Sequence, residues 1–227
     1  MATKLYMHPV STTSRPVLLF VAESGANVEL VTIDLFTGEH MKEPFTKLNP
    51  NKQVPVLVED DFVLTESSAI LKYLADKINS PAYPKDLRRR AHVNELMDWF
   101  NTGLMREYCY HFVYPQVFPG HQREPEAVHK ATLEWGRTMA KGWLQILNDH
   151  WLGSSNAYVC GKDITIADYL GAGALTVGDM IRVDFANYPN VDRWLGRMRK
   201  LGSWDSVHQT VKGVAGSMKE KSFVALA

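Results

Sequence analysis

Apolar and polar positions follow two different periods along the chain, and the period changes near residue 80. Before that point, the short apolar runs 5–7 and 28–33 predict two buried strands. A helix between them opens at Ser14 and ends at Gly25, a residue type common at helix C-termini. Its predicted apolar face consists of Val17, Leu18, Val21 and Ala22. A strand, a helix and a strand in this order predict a right-handed crossover between parallel strands.

Two more apolar runs, 54–58 and 62–65, flank the acidic turn 59–61 and predict an antiparallel hairpin. A helix follows at once, with Ser67 or Ser68 at its start. The inward residues predicted for this helix are Ile70, Leu71, Leu74 and Ile78. The order βαβ followed by ββα resembles the thioredoxin fold.

The prolines at positions 81 and 84 mark residues 80–84 as a linker. Beyond it nearly every apolar position recurs with the period of a helix. The predicted elements are long helices over 87–112 and 126–150, a proline-rich loop over 114–125 between them, and shorter helices near 165–181, 190–200 and 203–213. We therefore predict an α+β protein of two domains, a thioredoxin-like domain over residues 1–80 and an all-helical domain over residues 86–227.

The helical part carries three local patterns that the structure can test. The predicted inward residues of helix 87–112 are Val93, Leu96, Met97, Phe100 and Leu104. Those of helix 126–150 are Met139, Trp143, Ile146 and Leu147. Thr165 and Asp168 have the spacing of a capping box, which predicts a helix start and a folding element rather than a functional site.

Composition and charge narrow the range of partners. Lys and Arg together number 25, as do Asp and Glu, so no net field attracts nucleic acid or an anionic membrane, and we expect neither as a partner. The two cysteines, Cys109 and Cys160, form no C-x-x-C pair and no disulfide framework. Residues 1–6 lack the apolar core of a signal peptide, and no run approaches the ~20 apolar residues that cross a bilayer. We expect a cytoplasmic protein that uses no metal ion.

The loop between the first strand and the first helix is rich in hydroxyl groups. Ser11, Thr12, Thr13 and Ser14 lie just before a helix N-terminus, where free amides and the helix dipole favour negative charge. A thiol held there ionises more readily, and a hydroxyl that donates to its sulfur favours the thiolate further. Taken alone, such a loop is more often a helix cap. Because the loop holds no cysteine, disulfide exchange by the protein itself is excluded.

Two later segments offer groups for a peptide ligand. In Gln53-Val54-Pro55, a cis proline turns the preceding backbone groups outward, whereas a trans proline at a strand start is the more common arrangement. In Glu66-Ser67, a carboxylate and a hydroxyl at a helix start suit the ammonium and the carboxylate of a free amino acid. A capped helix start explains the second segment equally well.

Taken in order, these segments resemble the cytosolic glutathione S-transferases of the serine type. Residues 8–18 are similar to the start of the phi class, and residues 38–45 with Asn49-Pro50 are similar to a phi and theta loop. From Tyr83 onward the chain is more similar to theta-class and bacterial relatives. The resemblance covers essentially the whole chain, most specifically residues 5–75, and leaves the class between theta-like and phi-like.

The resemblance implies roles for individual residues. Ser11 matches the serine whose hydroxyl stabilises the thiolate of glutathione, and it is the implied catalytic residue. His40 and Gln53 match contacts to the glycine end, and the Val54 backbone matches the pairing with the cysteinyl part. Glu66 and Ser67 match the pair that holds the γ-glutamyl group. Two features depart from the family: Met41 stands where phi members commonly carry Lys, with Lys42 next, and residues 49–52 lack the aromatic interface residue of some classes.

The resemblance also implies a pocket for a hydrophobic electrophile between the helix-one loop and the first long helix. Its candidate residues are Val10, Thr12, Leu35, Met105, Cys109 and Phe112. The last three share a helix face in the spacing of an α-helix, which fits a core position equally well. The implied function is glutathione transfer to such an electrophile. The alternatives are a glutathione-dependent dehalogenase or peroxidase of the same family, and a noncatalytic interaction protein with this fold.

The family resemblance further implies a homodimer. Met97, Trp99 and Phe100 give helix 87–112 apolar residues on more than one side, which favours an interface with a second subunit. The alternative is that the second apolar side packs under helix 126–150 within one chain.

Overall fold

A four-stranded mixed sheet organises the first part of the chain in the computed structural model, which describes residues 3–226. The strands lie in the order β2-β1-β3-β4 and span β1 Lys4–Met7, β2 Glu29–Thr32, β3 Val56–Glu59 and β4 Phe62–Leu64. β1 pairs parallel with β2, and Leu5 lies opposite Leu57 in the antiparallel pair of β1 and β3. β3 and β4 form the antiparallel hairpin that the acidic turn predicts. The predicted α+β order is confirmed.

Among the described residues, three α-helices and one 3-10 turn, Glu39–Met41, complete this part: the α-helices are α1 Ser14–Ser24, α2 Phe45–Leu48 and α3 Ser67–Lys77. The helix α1 ends at Gly25, whose φ of 68° lies in the left-handed region that favours glycine. Two inward residues were predicted wrongly. Ala22 is exposed while Leu19 and Phe20 are buried, because α1 contacts both α3 and the helical part of the chain. Ile78 follows the last turn of α3 and is exposed.

The second part is helical throughout its regular structure. Its helices are α4 Leu87–Trp99, α5 Tyr114–Val117, α6 Glu126–Ile146, α7 Ile166–Leu175, α8 Pro189–Met198 and α9 Trp204–Ser217. A π-wound segment, Phe100–Val113, joins α4 to α5, and a second one, Leu147–Leu152, continues α6. The prediction of a loop over 114–125 was therefore wrong for its first four residues, which form α5. Pro115, which has no amide proton to donate, is the second residue of α5, and the helix ends at Val117.

The inward face of α6 differs from the predicted one. Its buried residues are Leu133, Gly136, Ala140 and Leu144, followed by Leu147 in the π-wound continuation. Of the four predicted residues only Leu147 is buried, and Ile146 is 45% exposed. Small residues set this face: a Cβ added at Gly136 would lie 2.5 Å from the backbone carbonyl of His111. Close approach to the Phe100–Val113 segment therefore outweighs the burial of bulkier side chains elsewhere on the helix.

The apolar sides of α4 are covered within one chain. All five predicted inward residues of this helix and its continuation are buried. The Trp99 ring packs against Trp143 at 5.0 Å and Trp151 at 6.1 Å between ring centroids. The alternative stated above, packing under helix 126–150, describes the structure. The apolar surplus of this helix thus gives no support for a dimer.

The predicted capping box at the start of α7 is confirmed. The Asp168 carboxylate accepts hydrogen bonds from the amides of Thr165 and Val159, each at 2.8 Å, and from the Trp194 indole at 2.9 Å. One buried side chain therefore caps α7 and ties it to α8. No helix within residues 3–226 is long and apolar enough to span a bilayer.

Candidate active site

A cavity of about 440 Å³ lies between the sheet part and the helical part of the chain. Three regions supply its wall: the loop after β1, the segments around His40 and Gln53, and the region from the end of the π-wound segment to the turn after α5. The lining residues are Val10, Ser11, Thr12, Thr13, Leu35, Phe36, His40, Lys52, Gln53, Val54, Tyr110, Tyr114, Phe118, Gly120 and His121. The cavity therefore brings together residues that are distant in the sequence.

Ser11 is half-buried in this wall, one turn before α1. Its Oγ accepts a hydrogen bond from the Ser14 amide at 3.2 Å and lies 3.1 Å from the Thr13 Oγ1. The Thr13 hydroxyl in turn donates to the Val54 carbonyl at 2.8 Å. The predicted cap, Ser14, thus gives its amide to Ser11 rather than capping the helix with its own hydroxyl. A hydroxyl at the positive end of a helix faces the cavity, which suits an anionic ligand atom.

Two neighbouring groups fix the loops around Ser11. The His8 Nδ1 accepts from the Val10 amide at 3.1 Å, and the His8 ring meets Phe36 edge-on at 5.2 Å. Burial lowers the pKa of His8, which keeps its ring neutral near pH 7. Asp34 accepts from the amides of Thr37 and Phe36, and these bonds lower the pKa of its carboxyl group. The loops that carry Val10 and Phe36 are therefore held by local hydrogen bonds.

The His40 side of the cavity carries groups that suit a carboxylate. The Nδ1 of His40 is buried and has no hydrogen-bond partner within residues 3–226. Lys52 lines the cavity and forms no ion pair with any residue that the structure describes. The sequence analysis missed Lys52, although its position next to Gln53 was a usable signal. Met41 and Lys42, which were considered for this charge, are exposed and lie outside the cavity wall.

The Val54-Pro55 peptide bond is cis, the less common of the two arrangements considered for this segment. Val54 is buried, and the Asn49 amide group holds the same loop by donating to the Gln53 carbonyl at 2.7 Å. The Val54 carbonyl already accepts from Thr13. The loop thus presents backbone groups beside Ser11.

Glu66 and Ser67 do not line the cavity itself but lie at the start of α3. Glu66 is exposed, with a φ of 65° that is uncommon for a residue with a side chain, and Ser67 is buried. Burial raises the pKa of the Tyr110 phenol, and the Glu66 carboxylate raises it further. The structure thus places Glu66 and Ser67 together at one helix start, outside the cavity wall.

The helical wall differs from the predicted one. Val10, Thr12 and Leu35 line the cavity, but Met105, Cys109 and Phe112 are buried in the core instead. Cys109 donates its thiol to the Ala174 carbonyl at 3.5 Å, and burial raises its pKa. The physical reason is the π winding of Phe100–Val113, since α-helical spacing does not identify one face of a wider helix.

Four aromatic residues that the sequence analysis missed form this wall: Tyr110, Tyr114, Phe118 and His121. The Tyr114 ring lies 4.9 Å from Tyr110, 5.4 Å from Phe118 and 5.0 Å from His121 between centroids. Burial lowers the pKa of His121 and raises that of Tyr114, so both rings are uncharged near pH 7. The wall is therefore aromatic and neutral. Within residues 3–226, no cluster of three or more His, Cys, Asp or Glu side chains is arranged to share a metal ion.

Comparisons with known proteins match both parts of the chain. The family model of the glutathione S-transferase N-terminal domain matches residues 1–76, and that of the C-terminal domain matches residues 125–201. Human glutathione S-transferase theta-1 is 35% identical over 205 residues, which cover 87% of this chain and 82% of that protein. Mouse theta-3 is 36% identical over 174 residues, which cover 74% of this chain and 69% of that protein.

A solved structure gives the same result in three dimensions. Human glutathione transferase theta-2, in complex with glutathione and an unknown ligand, superposes with a TM-score of 0.85 at 30% identity and covers 98% of this chain and 93% of that one. These relatives favour the theta-like alternative over the phi-like one. Sequence models, relatives and structure therefore agree that this chain belongs to the glutathione S-transferases.

Proposed function

We propose that the Ser11 hydroxyl stabilises the thiolate of glutathione for attack on a flat, apolar electrophile. The observation that carries the proposal is the position of Ser11 in the cavity wall, at the N-terminal end of α1, with its oxygen held by the Ser14 amide. A hydroxyl whose oxygen is fixed in this way turns its proton to a ligand atom in the cavity by rotation about one bond, without rearrangement of the backbone.

The residues around the cavity suit glutathione along its length. The His40 Nδ1 and the Lys52 cation, which have no partner among residues 3–226, suit the glycine carboxylate, as does the Gln53 side chain. Backbone groups of Val54 pair with the cysteinyl part. Glu66 takes the γ-glutamyl ammonium, and Ser67 takes the adjacent carboxylate through its hydroxyl and the amides at the start of α3. The structure of human glutathione transferase theta-2 contains glutathione, which supports glutathione as the ligand.

Glutathione supplies the nucleophilic sulfur, and the protein supplies its protonation state and position. Ser11 donates a hydrogen bond to the sulfur, which favours loss of the thiol proton to solvent. The dipole of α1 favours the resulting negative charge. The sulfur then forms a bond to the electrophilic carbon, and the leaving group departs with its electron pair. Most of the rate enhancement comes from thiolate formation and proximity.

The electrophile binds against the aromatic wall. The rings of Tyr110, Tyr114 and Phe118 line the cavity together with the apolar side chains of Val10 and Leu35, and such a lining favours flat aromatic compounds over charged ones. A panel of aryl halides, haloalkanes, epoxides and hydroperoxides, each assayed with glutathione, tests this preference. We expect the highest kcat/KM with an aryl halide, and a preference for haloalkanes or hydroperoxides favours the dehalogenase or peroxidase alternative instead.

Ser11→Ala tests the catalytic assignment. We expect kcat to fall by about 10²–10³, as when one donor to a developing anion is removed, while glutathione affinity stays within several-fold. Thr12→Ala is the matched control, because Thr12 lines the same loop next to Ser11. If Thr12→Ala lost activity while Ser11→Ala stayed active, the assignment of the catalytic role to Ser11 would be wrong.

The arrangement of the whole chain is part of the same proposal. We assign residues 1–80 as the glutathione-binding domain and residues 86–227 as the electrophile-binding domain, and we propose a cytoplasmic homodimer. The helix α3 ends at Lys77 and α4 begins at Leu87, which is consistent with a domain boundary between residues 80 and 86.

A further inference from the structure

A chain of three hydrogen bonds runs from the first residue of α1 through Ser11 and Thr13 to the Val54 loop, which precedes β3. The Ser14 amide donates to the Ser11 Oγ at 3.2 Å, and the Ser11 Oγ lies 3.1 Å from the Thr13 Oγ1. The Thr13 hydroxyl is 2.8 Å from the Val54 carbonyl. Thr13 thus contacts both the hydroxyl proposed to hold the sulfur and the loop proposed to pair with the cysteinyl backbone.

Counting protons fixes the direction of every bond in this chain. A hydroxyl carries one proton, and a carbonyl only accepts, so the Thr13 proton lies on the bond to Val54. The Thr13 oxygen is then the acceptor in its contact with Ser11, and the Ser11 proton points at Thr13. The Ser14 amide occupies a lone pair on the Ser11 oxygen. In the free protein, the Ser11 proton that is proposed to bond to the sulfur is therefore already donated to the Thr13 oxygen.

We propose that Thr13 is a positioning residue that holds the Ser11 proton until the sulfur ionises. This inference rests on the proposed role of Ser11. A hydrogen bond to an anion is about twice as strong as one between neutral groups. Beside a neutral thiol, the Ser11 hydroxyl therefore keeps donating its hydrogen bond to the Thr13 oxygen. When a thiolate forms, the Ser11 hydroxyl donates to the sulfur instead. Because Thr13 competes for this proton, it makes the bound thiol less acidic than Ser11 alone would make it.

Thr13 has a second effect: it strengthens the binding of glutathione, although it makes the bound thiol less acidic. Its bond to the Val54 carbonyl does not involve the Ser11 proton, so it persists when that proton turns to the sulfur. The bond keeps the β1–α1 loop and the Val54 loop at a fixed separation, and glutathione is proposed to contact both. Loss of the Thr13 hydroxyl therefore weakens binding while it frees Ser11.

Thr13→Val removes the hydroxyl and keeps the shape of the side chain, and Thr13→Ser keeps the hydroxyl. For Thr13→Val we expect the pKa of the bound thiol to fall by about 0.5 to 1 unit, since a neutral hydrogen bond no longer competes. We expect the Kd for glutathione to rise by about 2–10-fold from the lost tie to Val54. Thr13→Ser should match the parent protein in both. The thiol pKa is read from the ultraviolet absorbance of the bound thiolate against pH.

Controls separate this inference from a structural effect and from the proposed function. General loosening of the site raises the Kd but does not make the thiol more acidic. In the Ser11→Ala background, Thr13→Val should no longer lower the thiol pKa, because its effect acts through Ser11. Thr13→Ala serves as a second hydroxyl-free variant if the valine variant folds poorly by circular dichroism.

The remaining outcomes each reject one claim. If Ser11→Ala raises the thiol pKa but Thr13→Val leaves it unchanged or raises it, Thr13 does not hold the Ser11 proton and this inference is wrong. If Ser11→Ala itself leaves the thiol pKa unchanged, the proposed function of Ser11 fails first.

Discussion

Of the two lysines near the proposed glycine end of glutathione, Lys52 and Lys42, only Lys52 lines the cavity. Lys52 lines the wall next to Gln53, whereas Lys42 is exposed outside it. The family resemblance identified Ser11, His40, Gln53 and Val54, and the structure brings all four to one cavity. It drew attention to position 42 rather than 52 because the charge contact was sought beside the histidine in sequence. The position of Lys52 next to Gln53 was the signal in the sequence that pointed to the other lysine.

This difference gives a prediction at the scale of one residue. Lys52→Ala should raise the Kd for glutathione by about 3–10-fold, since it removes an exposed cation from the carboxylate end. The effect should shrink at high salt, because the contact is solvent-exposed. Lys42→Ala is the matched control and should leave the Kd unchanged. Calorimetric titration checks both variants, and equal losses for the two would show that only the general charge of the loop matters.

At the scale of elements, the longer helices were predictable, but the short helices α2 and α5 and the buried faces of two longer helices were not. The spacing of Met105, Cys109 and Phe112 assumes an α-helix, and the structure has a π-wound segment there. On α6 the bulky residues suggested one face, whereas Gly136 and Ala140 set the packed one. The periodicity of apolar residues predicts which face of a helix carries bulky apolar side chains. It does not predict where the backbones of two helices approach closely.

Two glycines of α6 test this account of the helix contact. A Cβ at Gly136 would lie 2.5 Å from the His111 carbonyl, whereas a Cβ at Gly142 would meet nothing within 4 Å. We expect Gly136→Ala to lower the free energy of unfolding by about 1–3 kcal/mol through overpacking. Gly142→Ala should raise it by about 0.5–1 kcal/mol through helix propensity. Urea denaturation measures both, and a neutral Gly136→Ala would mean that the helices do not approach as closely as described.

At the scale of the whole molecule, the order of strands and helices was enough to predict both parts of the fold. The sequence argument for a dimer fared differently, because Trp99 packs on Trp143 and Trp151 within the chain. Whether a surface meets a second subunit depends on what the first subunit leaves uncovered, which a helical pattern does not reveal.

The homodimer itself remains a prediction that rests on the family. Light scattering at micromolar concentration should give a mass near twice the 25.7 kDa of one chain. A mass near 25.7 kDa at all concentrations would exclude the dimer.

The central claim is that the Ser11 hydroxyl makes the bound glutathione thiol more acidic. Its most direct test is the ultraviolet absorbance of the bound thiolate, titrated against pH in the parent protein and in Ser11→Ala. A donor to the thiolate lowers the thiol pKa in the complex, so the parent should hold thiolate at pH values where free glutathione is a thiol. We predict that Ser11→Ala raises this pKa by about 1 to 2 units, the equivalent of one hydrogen bond to an anion. Superimposable titrations of the two proteins would contradict the account.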